Sequence, residues 1–305
     1  MKEITKKLLK LVSDWAGDFR GAYNIREDGG CTGRQSTEHI KIDSKKDEPG
    51  LDIHILPGTV GESVSIPACV THGDVDDLVY NDFYVGKDAD VTIIAGCGVH
   101  TETGEPARHN GIHRFFLEPG SHVKYIEKHI GTGHGTGIRS INPVTDAELA
   151  ENSVLEMDMA QIGGVDHTLR KTNARLAKGA KLIIRERIFT EREQTASTEF
   201  KVELNGEGSG ADLVSRSVAR DDSHQDYTST IIGNAPCTGH SECDAIIDGN
   251  GMVDASPRLF ARNGDASLIH EAAIGKIAGE QILKLRTLGL TEQEAEKKII
   301  EGFLS

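Results

Sequence analysis

A thiol, an imidazole and a carboxylate occur close together in the last third of this sequence. Cys243 lies in the apolar-flanked segment 241–247, and His270 and Glu271 open a second such segment. A thiolate binds soft metals and carries sulfur, while imidazole and carboxylate groups complete sites for transition metals. The three residues therefore predict a metal-binding or sulfur-handling site, if the fold brings the two segments together.

A different site is indicated by the histidine-rich stretch that also contains Cys97. His109 and His113, followed by Glu118, have part of the spacing of a cupin metal site, although the fuller cupin pattern is missing. Acid pairs such as Asp76-Asp77 would suit a glycosidase. The alternative function is therefore a metal-dependent or carboxylate-based hydrolase on a β-solenoid or cupin-like fold.

The region around Cys243 resembles the C-terminal signature of the SufB/SufD family of iron–sulfur cluster assembly scaffolds (the SUF system). Many pieces match in one order: Gly239-His240-Ser241-Glu242-Cys243-Asp244-Ala245-Ile246-Ile247, Pro257-Arg258-Leu259, His270-Glu271-Ala272, Glu280-Gln281-Ile282-Leu283, Leu288-Gly289-Leu290, Glu294-Ala295 and Ile299-Ile300-Glu301-Gly302-Phe303-Leu304. The chain is shorter than typical bacterial members and resembles a short SufB-like protein, although the choice between SufB and SufD stays open.

The resemblance implies a scaffold that accepts sulfur at Cys243, uses Glu271 and His270 as further metal ligands, and releases a transient iron–sulfur cluster. A mixed ligand set favours release, because four cysteines would hold the cluster firmly. Cofactor-binding residues are not identified, and whether a flavin takes part is left open. The family also implies a homodimer or a SufB/SufD-like heterodimer, a sulfur donor protein, and a separate SufC-type ABC ATPase.

His270 and Glu271 are consecutive, which limits what they can do together. On a strand they would point to opposite faces, and at the start of a helix they would diverge by about 100°. Both should therefore not bind the same iron within one chain. One arrangement turns Glu271 toward its own Cys243 and His270 toward a partner subunit, so that the cluster forms between two subunits.

The protonation of Cys243 adds a second constraint. An ordinary thiol has a pKa of about 8.5, and a nearby carboxylate raises it. A cation must then favour the thiolate, and the sequence offers protonated His270, Arg258, Arg262 or the iron itself without choosing among them.

Composition excludes several classes of protein. The net charge of −14, without a long basic stripe, argues against nucleic-acid binding. There is no apolar run long enough to cross a membrane and no export signal at the start, so a cytoplasmic location is expected. The five cysteines include no CxxC pair, which argues against disulfides and a zinc ribbon.

The elements that must position the site are mainly strands. Ile4, Leu8, Leu11, Val12 and Trp15 predict one short amphipathic N-terminal helix that Gly17 ends. The middle of the chain then alternates in short strands broken by turn residues. A faint repeat recurs in segments 85–93, 117–125, 176–184 and 260–268, at irregular intervals.

Spacing alone fits a β-solenoid and a β-sandwich equally well. The family resemblance favours the first, because SufB and SufD proteins contain a right-handed parallel β-helix with helical segments at both ends. We therefore predict an N-terminal helix at 1–20, a β-helix core at 21–269 and a C-terminal helical segment at 270–305.

The C-terminal segment predicts two helices. The first carries an apolar face from Ile274 to Leu285, and the second starts with a capping box at Thr291 and Glu294. By resemblance this region contacts the ATPase, and the alternative is that it only caps the solenoid. The segment 275–277 lacks a complete phosphate-binding loop, so the chain is expected to be a scaffold and not an enzyme.

Overall fold

The computed structural model describes residues 1–13, 15, 17 and 19–305. Its helices are α1 (Glu3–Val12), α2 (Gly279–Thr287) and α3 (Glu292–Phe303). The strands, in chain order, are β1 (Ala22–Glu27), β2 (Gly30–Gln35), β3 (Ile40–Ser44), β4 (Gly50–Ile55), β5 (Val60–Ser65), β6 (Ala68–Val70), β7 (Val75–Val85), β8 (Asp90–His100), β9 (Ala107–Leu117), β10 (His122–Thr132), β11 (Arg139–Ile141), β12 (Val144–Leu149), β13 (Val154–Ile162), β14 (His167–Leu176), β15 (Lys181–Thr190), β16 (Thr195–Leu204), β17 (Gly210–Ala219), β18 (His224–Gly233), β19 (Cys237–Ile247), β20 (Met252–Ala261) and β21 (Ala266–Gly275).

The strands form two facing sheets, and from β7 onward the chain passes from one sheet to the other and back. Sheet A runs β2-β1-β5-β8-β10-β13-β15-β17-β19-β21, and sheet B runs β20-β18-β16-β14-β11-β9-β7-β4-β3. Apart from the hairpins β1-β2 and β3-β4, the pairing is parallel. This is the predicted β-solenoid, with its main core between the two sheets. The right-handed winding stays a prediction.

The faint sequence repeat corresponds to the corner between a sheet B strand and the following sheet A strand. Val91 pairs with Val123, Val123 with Leu155, and Leu155 with Leu182, so one apolar position recurs in successive coils. The corners contain residues with positive φ, namely Asp88, Gly120, Asn152, Gly179 and Gly208. Asp, Asn and Gly are the residue types that adopt this left-handed conformation most readily.

Helix α1 lies on the outer face of sheet A, where two glycines make room for it. A Cβ at Gly96 would lie 2.2 Å from the backbone oxygen of Val12, and one at Gly98 would lie 3.0 Å from Leu8. Leu8 and Leu9 are buried there, whereas Leu11 of the predicted stripe is exposed. The helix ends at Val12, before the expected Gly17.

The last coil, formed by β20 and β21, ends both sheets in the part of the chain that the structure describes. Strand β21 pairs with β19 as far as Gly275, so the helical part begins at Gly279 and not directly after Glu271 as expected. The predicted capping box of Thr291 and Glu294 starts α3. Within the described ranges, no helix has the length and apolar content needed to span a membrane.

Candidate functional site

Strand alternation decides which of the predicted site residues can meet. Cys243 points into the solenoid from β19 and is 1% exposed, between Ser215 of β17 and Ala272 of β21. On β21, His270 is half-buried, whereas the side chain of Glu271 is 68% exposed. The expectation that these two neighbours on a strand point to opposite faces is confirmed.

The structure does not contain the arrangement in which Glu271 turns toward Cys243. In the register of the two strands, Glu271 pairs with Glu242 and Cys243 pairs with Ala272. Glu271 therefore shares the outer face with Glu242, and His270 shares the inner face with Cys243. The register between β19 and β21 could not be predicted from the sequence, and this register determines which residues of the two strands lie side by side on one face.

The thiol of Cys243 is protonated in this conformation. Burial raises its pKa to about 12, and the charges of Glu186 and Asp244 add to the effect. Burial also lowers the pKa of His270, so its ring is neutral at pH 7 and supplies no positive charge. Cys243 therefore needs iron, a conformational change or an arriving cation before it can act as a thiolate.

A buried polar network approaches Cys243 along the inside of the coils. Arg170 of β14 contacts Glu127 of β10, and its Nε lies 3.2 Å from Oε1 of Glu186 on β15. Glu186 also accepts a hydrogen bond of 2.7 Å from Oγ of Ser215, the residue paired with Cys243. Burial would raise the pKa of Glu127, but His129 and Arg170 hold it well below its ordinary value.

Hydroxyl groups line the inner face beside His270. Oγ of Ser241, the residue paired with His270, lies 3.0 Å from the Tyr227 hydroxyl and 2.8 Å from Oγ of Ser229. Nδ1 of His270 is buried without a hydrogen-bond partner among the residues that the structure describes. Serine, tyrosine and histidine side chains thus lie near Cys243 on the inner face of the last coils.

A second constellation lies on the outer face of the same two strands. One ligand atom each from His240, Glu242 and Glu271 lie within 4.8 Å of one another. Nε2 of His240 is 3.9 Å from Oε2 of Glu271. An imidazole and two carboxylates at this spacing are suited to a divalent transition metal.

The ring of His240 is held from the preceding coil. Its Nδ1 lies 2.8 Å from Oδ1 of Asp212 on β17. Burial would raise the pKa of Asp212, but the contacts with His240 and Arg185 hold it below its ordinary value. Because a carboxylate only accepts, Nδ1 carries the hydrogen, and Nε2 is the ring nitrogen that remains for a metal.

The sequence pattern predicts no function for the inner residues Arg170 and Glu186, or for His240 and Glu242 on the outer face. A signal was present for Glu186, because it lies in step with the apolar residues Leu182, Ile184 and Ile188 of its strand. A charged side chain at an inward position must be paired, and this marks it for attention. His240 and Glu242 carried no such signal, since polar residues are ordinary on an outer face.

The side chains of His109, His113 and Glu118, which have part of the cupin spacing, do not point to one common position. Nδ1 of His109 lies 3.0 Å from Asp77 inside the solenoid, and Nδ1 of His113 lies 2.8 Å from the Tyr125 hydroxyl. Glu118 lies at the corner after β9, where it accepts a hydrogen bond from the backbone of Lys87. Among the described residues, these three do not form a group that could hold a metal.

Comparison with known proteins gives a consistent result. Residues 80–303 match the family model described as the SufBD core domain of SUF system FeS cluster assembly. A protein of Methanothermobacter thermautotrophicus strain Winter, named as an iron–sulfur cluster assembly SufBD family protein, is 28% identical over 84% of this chain and 62% of its own length. Proteins with the same family name from Archaeoglobus fulgidus (29% identical, 95% of this chain, 75% of theirs) and Pyrococcus horikoshii (26%, 89% and 83%) are also similar. The chain thus spans about three fifths of the Methanothermobacter protein.

Proposed function

Because this chain belongs to the SufBD family of iron–sulfur cluster assembly proteins, we propose that it is the scaffold on which a cluster is built. Cys243 accepts sulfur, His270 and Glu271 contribute to holding iron, and the finished cluster is released. The observation that carries the proposal is that Cys243 and His270 share the inner face of the neighbouring strands β19 and β21 at the open end of the solenoid, with Glu271 next to His270 on the outer face.

The geometry adds a step to this function. Cys243 is buried and protonated, and Glu271 lies on the other side of the strand from it. The last coil must therefore move before one iron can reach both side chains. Strand β21 is suited to such a movement, because it is hydrogen-bonded along only one of its edges in the described chain.

A second copy of this chain, or a related SufBD chain, is the partner that we propose for the open end. Unpaired strand edges join readily to other chains. The last coil also exposes apolar side chains, among them Phe260, Ile269 and Ile274. A dimer joined here would place two copies of the site at one interface, as expected if the cluster forms between subunits.

An ABC-type ATPase of the SufC kind is the proposed source of movement, and it would bind α2 and α3. Helix α2 has no buried residue, and Leu283 and Leu288 are 60% and 73% exposed. Exposed leucines on a short helix are suited to a protein partner. We also propose that a separate protein donates sulfur and that the assembly is cytoplasmic. The chain itself is proposed to hydrolyse no nucleotide.

Anaerobic reconstitution with iron and sulfide tests the proposal. The wild-type chain should develop the visible absorption of an iron–sulfur cluster, and Cys243→Ser should lose it. Cys237→Ser is the matched control, because Cys237 is a buried cysteine of the same strand and should be dispensable for the cluster.

Two results would contradict this function. If neither the wild type nor the variants form a cluster, the chain is a structural subunit. If a catalytic turnover is found that survives Cys243→Ser, the hydrolase alternative is favoured.

A further inference from the structure

We propose that His240, Glu242 and Glu271 form a docking site for ferrous iron on the outer face of β19 and β21, separate from the buried thiol. The inference rests on the proposed function, since it names where the iron of the cluster first binds. It adds His240 and Glu242 to the residues with a function.

The ligand set fits this cargo. One imidazole and two carboxylates leave several coordination positions open. The non-haem ferrous sites of oxygenases, which have two imidazoles and one carboxylate, also leave positions open. Sulfide or a persulfide could enter those positions later. The absence of a thiolate from the outer face keeps binding weaker than in a cysteine site, and this suits iron that must be passed on.

The geometry is nearly prepared for a metal. Nitrogen and oxygen ligands lie about 2.1 Å from a transition metal, so two neighbouring ligand atoms are about 3 Å apart. The three atoms here lie within 4.8 Å of one another, and side-chain rotation closes the difference. Strand pairing places Glu271 directly beside Glu242, and His240 is two residues away on the same face.

Asp212 prepares His240 for this use. A metal-binding histidine usually donates its other ring hydrogen to a carboxylate, which orients the ring. Nδ1 of His240 makes this contact with Asp212, and Nε2 faces Glu271. Asp212 is itself held by Arg185 of the coil before it, so the orientation is set by two earlier coils.

The charges of the two glutamates are not offset by a direct ion pair. No lysine or arginine in the described ranges lies within 4.0 Å of a carboxylate oxygen of Glu242 or Glu271. Glutamates elsewhere on the outer surface commonly have such a partner, as Glu148 has in Arg175. A divalent cation would relieve the repulsion between two neighbouring carboxylates.

The site is next to Cys243 in sequence but on the other side of the strand. Glu242 points outward and Cys243 inward, so their backbones are adjacent while their side chains diverge. Iron would therefore arrive from outside and sulfur at the inner face. The two meet when the edge strand β21 shifts.

Anaerobic calorimetric titration of the full chain with ferrous iron, in the absence of sulfide, tests the site. We expect one binding event in the wild type. His240→Ala and Glu242→Gln should each weaken it at least tenfold, and Asp212→Asn should weaken it by about 10- to 100-fold through loss of orientation.

The matched control is His224→Ala. His224 lies with Asp226 and Asp254 on β18 and β20 of sheet B, in an outer-face group that also has one imidazole and two carboxylates. This variant should leave the iron affinity unchanged. Thermal melting of each variant checks that it is folded.

Iron binding that is lost in Cys243→Ser or His224→Ala but kept in His240→Ala would overturn the inference, as would a wild-type chain that binds no ferrous iron. The proposed function fails separately. Iron binding at the outer site with no cluster after sulfide addition refutes the scaffold alone, whereas a full cluster yield in His240→Ala with unchanged iron affinity refutes only the docking site.

Discussion

The middle coils and the end of this solenoid differ in how their carboxylates are paired. In the middle, Arg170 is buried between Glu127 and Glu186, so each inner carboxylate has a cation. At the end, Glu242 and Glu271 lie side by side with no lysine or arginine paired to them among the described residues. Buried charge in a closed stack must be neutralised, whereas an open end leaves carboxylates available to a ligand.

The middle coils also bury their apolar positions, and the last coil does not. Leu182 and Leu213 are fully buried, whereas Leu259 and Leu268 of the last coil are only partly covered. The difference follows from position, because each middle coil has a neighbour on both sides. Stability is thus concentrated in the middle and binding capacity at the end.

The largest expected effect on stability comes from removing the cation that pairs with the buried carboxylates of the middle coils, which would leave them unpaired like those at the end. Arg170→Met would leave Glu127 and Glu186 buried without their arginine, and we expect it to cost about 3–5 kcal/mol of the free energy of unfolding. Arg175→Met is the matched control, because Arg175 lies on the outer face of the same strand near Glu148 and Glu203. That exposed pair should contribute far less to the free energy of unfolding, because solvent screens it. Urea denaturation measures both, and equal effects would contradict the comparison.

The interior should also make stability depend on pH. Burial lowers the pKa of His113 to about 4, against about 6.5 in an unfolded chain. Below pH 6.5, His113 becomes protonated in the unfolded chain, whereas in the folded chain it becomes protonated only near pH 4. Stability is therefore full above pH 6.5 and falls as the pH drops, by about 3 kcal/mol in total for this group.

Urea denaturation at several pH values checks this expectation. His113→Gln should show a shallower decline than the wild type, because the group that takes up the proton has been removed. An unchanged slope in the variant would show that His113 does not contribute.

The smallest effect on stability is expected at the open end. Phe260→Lys replaces a half-exposed side chain of the last coil and should change the free energy of unfolding by less than about 0.5 kcal/mol. It should nevertheless weaken self-association in analytical ultracentrifugation. Val60→Lys, at an exposed apolar residue of an early strand, should change neither property. Self-association that persists in Phe260→Lys would move the dimer interface elsewhere.

Much of the fold could be predicted from local patterns. The repeats that contain Val91, Val123 and Leu182 occupy equivalent positions in the stack of coils, although their spacing along the chain is irregular. The wide interval between Val123 and Leu182 arises because the coil that contains Leu155 lies between them. The coils also differ in length, and one of them divides its sheet B strand into β11 and β12. Alternation within one strand cannot tell a solenoid from a sandwich, since both bury every second residue.

The site was less accessible to prediction than the fold. Residue types led to Cys243, His270 and Glu271, and strand alternation correctly separated the last two. What each one faces depends on the register between β19 and β21, which is a property of two distant segments. The sequence could therefore propose these residues as a site, but it could not show that Glu271 lies beside Glu242 and His240.

Strand β19 separates the Cys243 thiol on its inner face from His240 and Glu242 on its outer face. Free iron and sulfide precipitate together readily, and a protein that holds both must keep them apart until assembly is intended. Under the proposed function, sulfur would bind on the side of the thiol and iron on the side of the carboxylates. The two could then react only after a displacement of β21 by a few ångströms. The timing of this strand movement, more than the affinity for iron or sulfur, would then govern when the cluster forms.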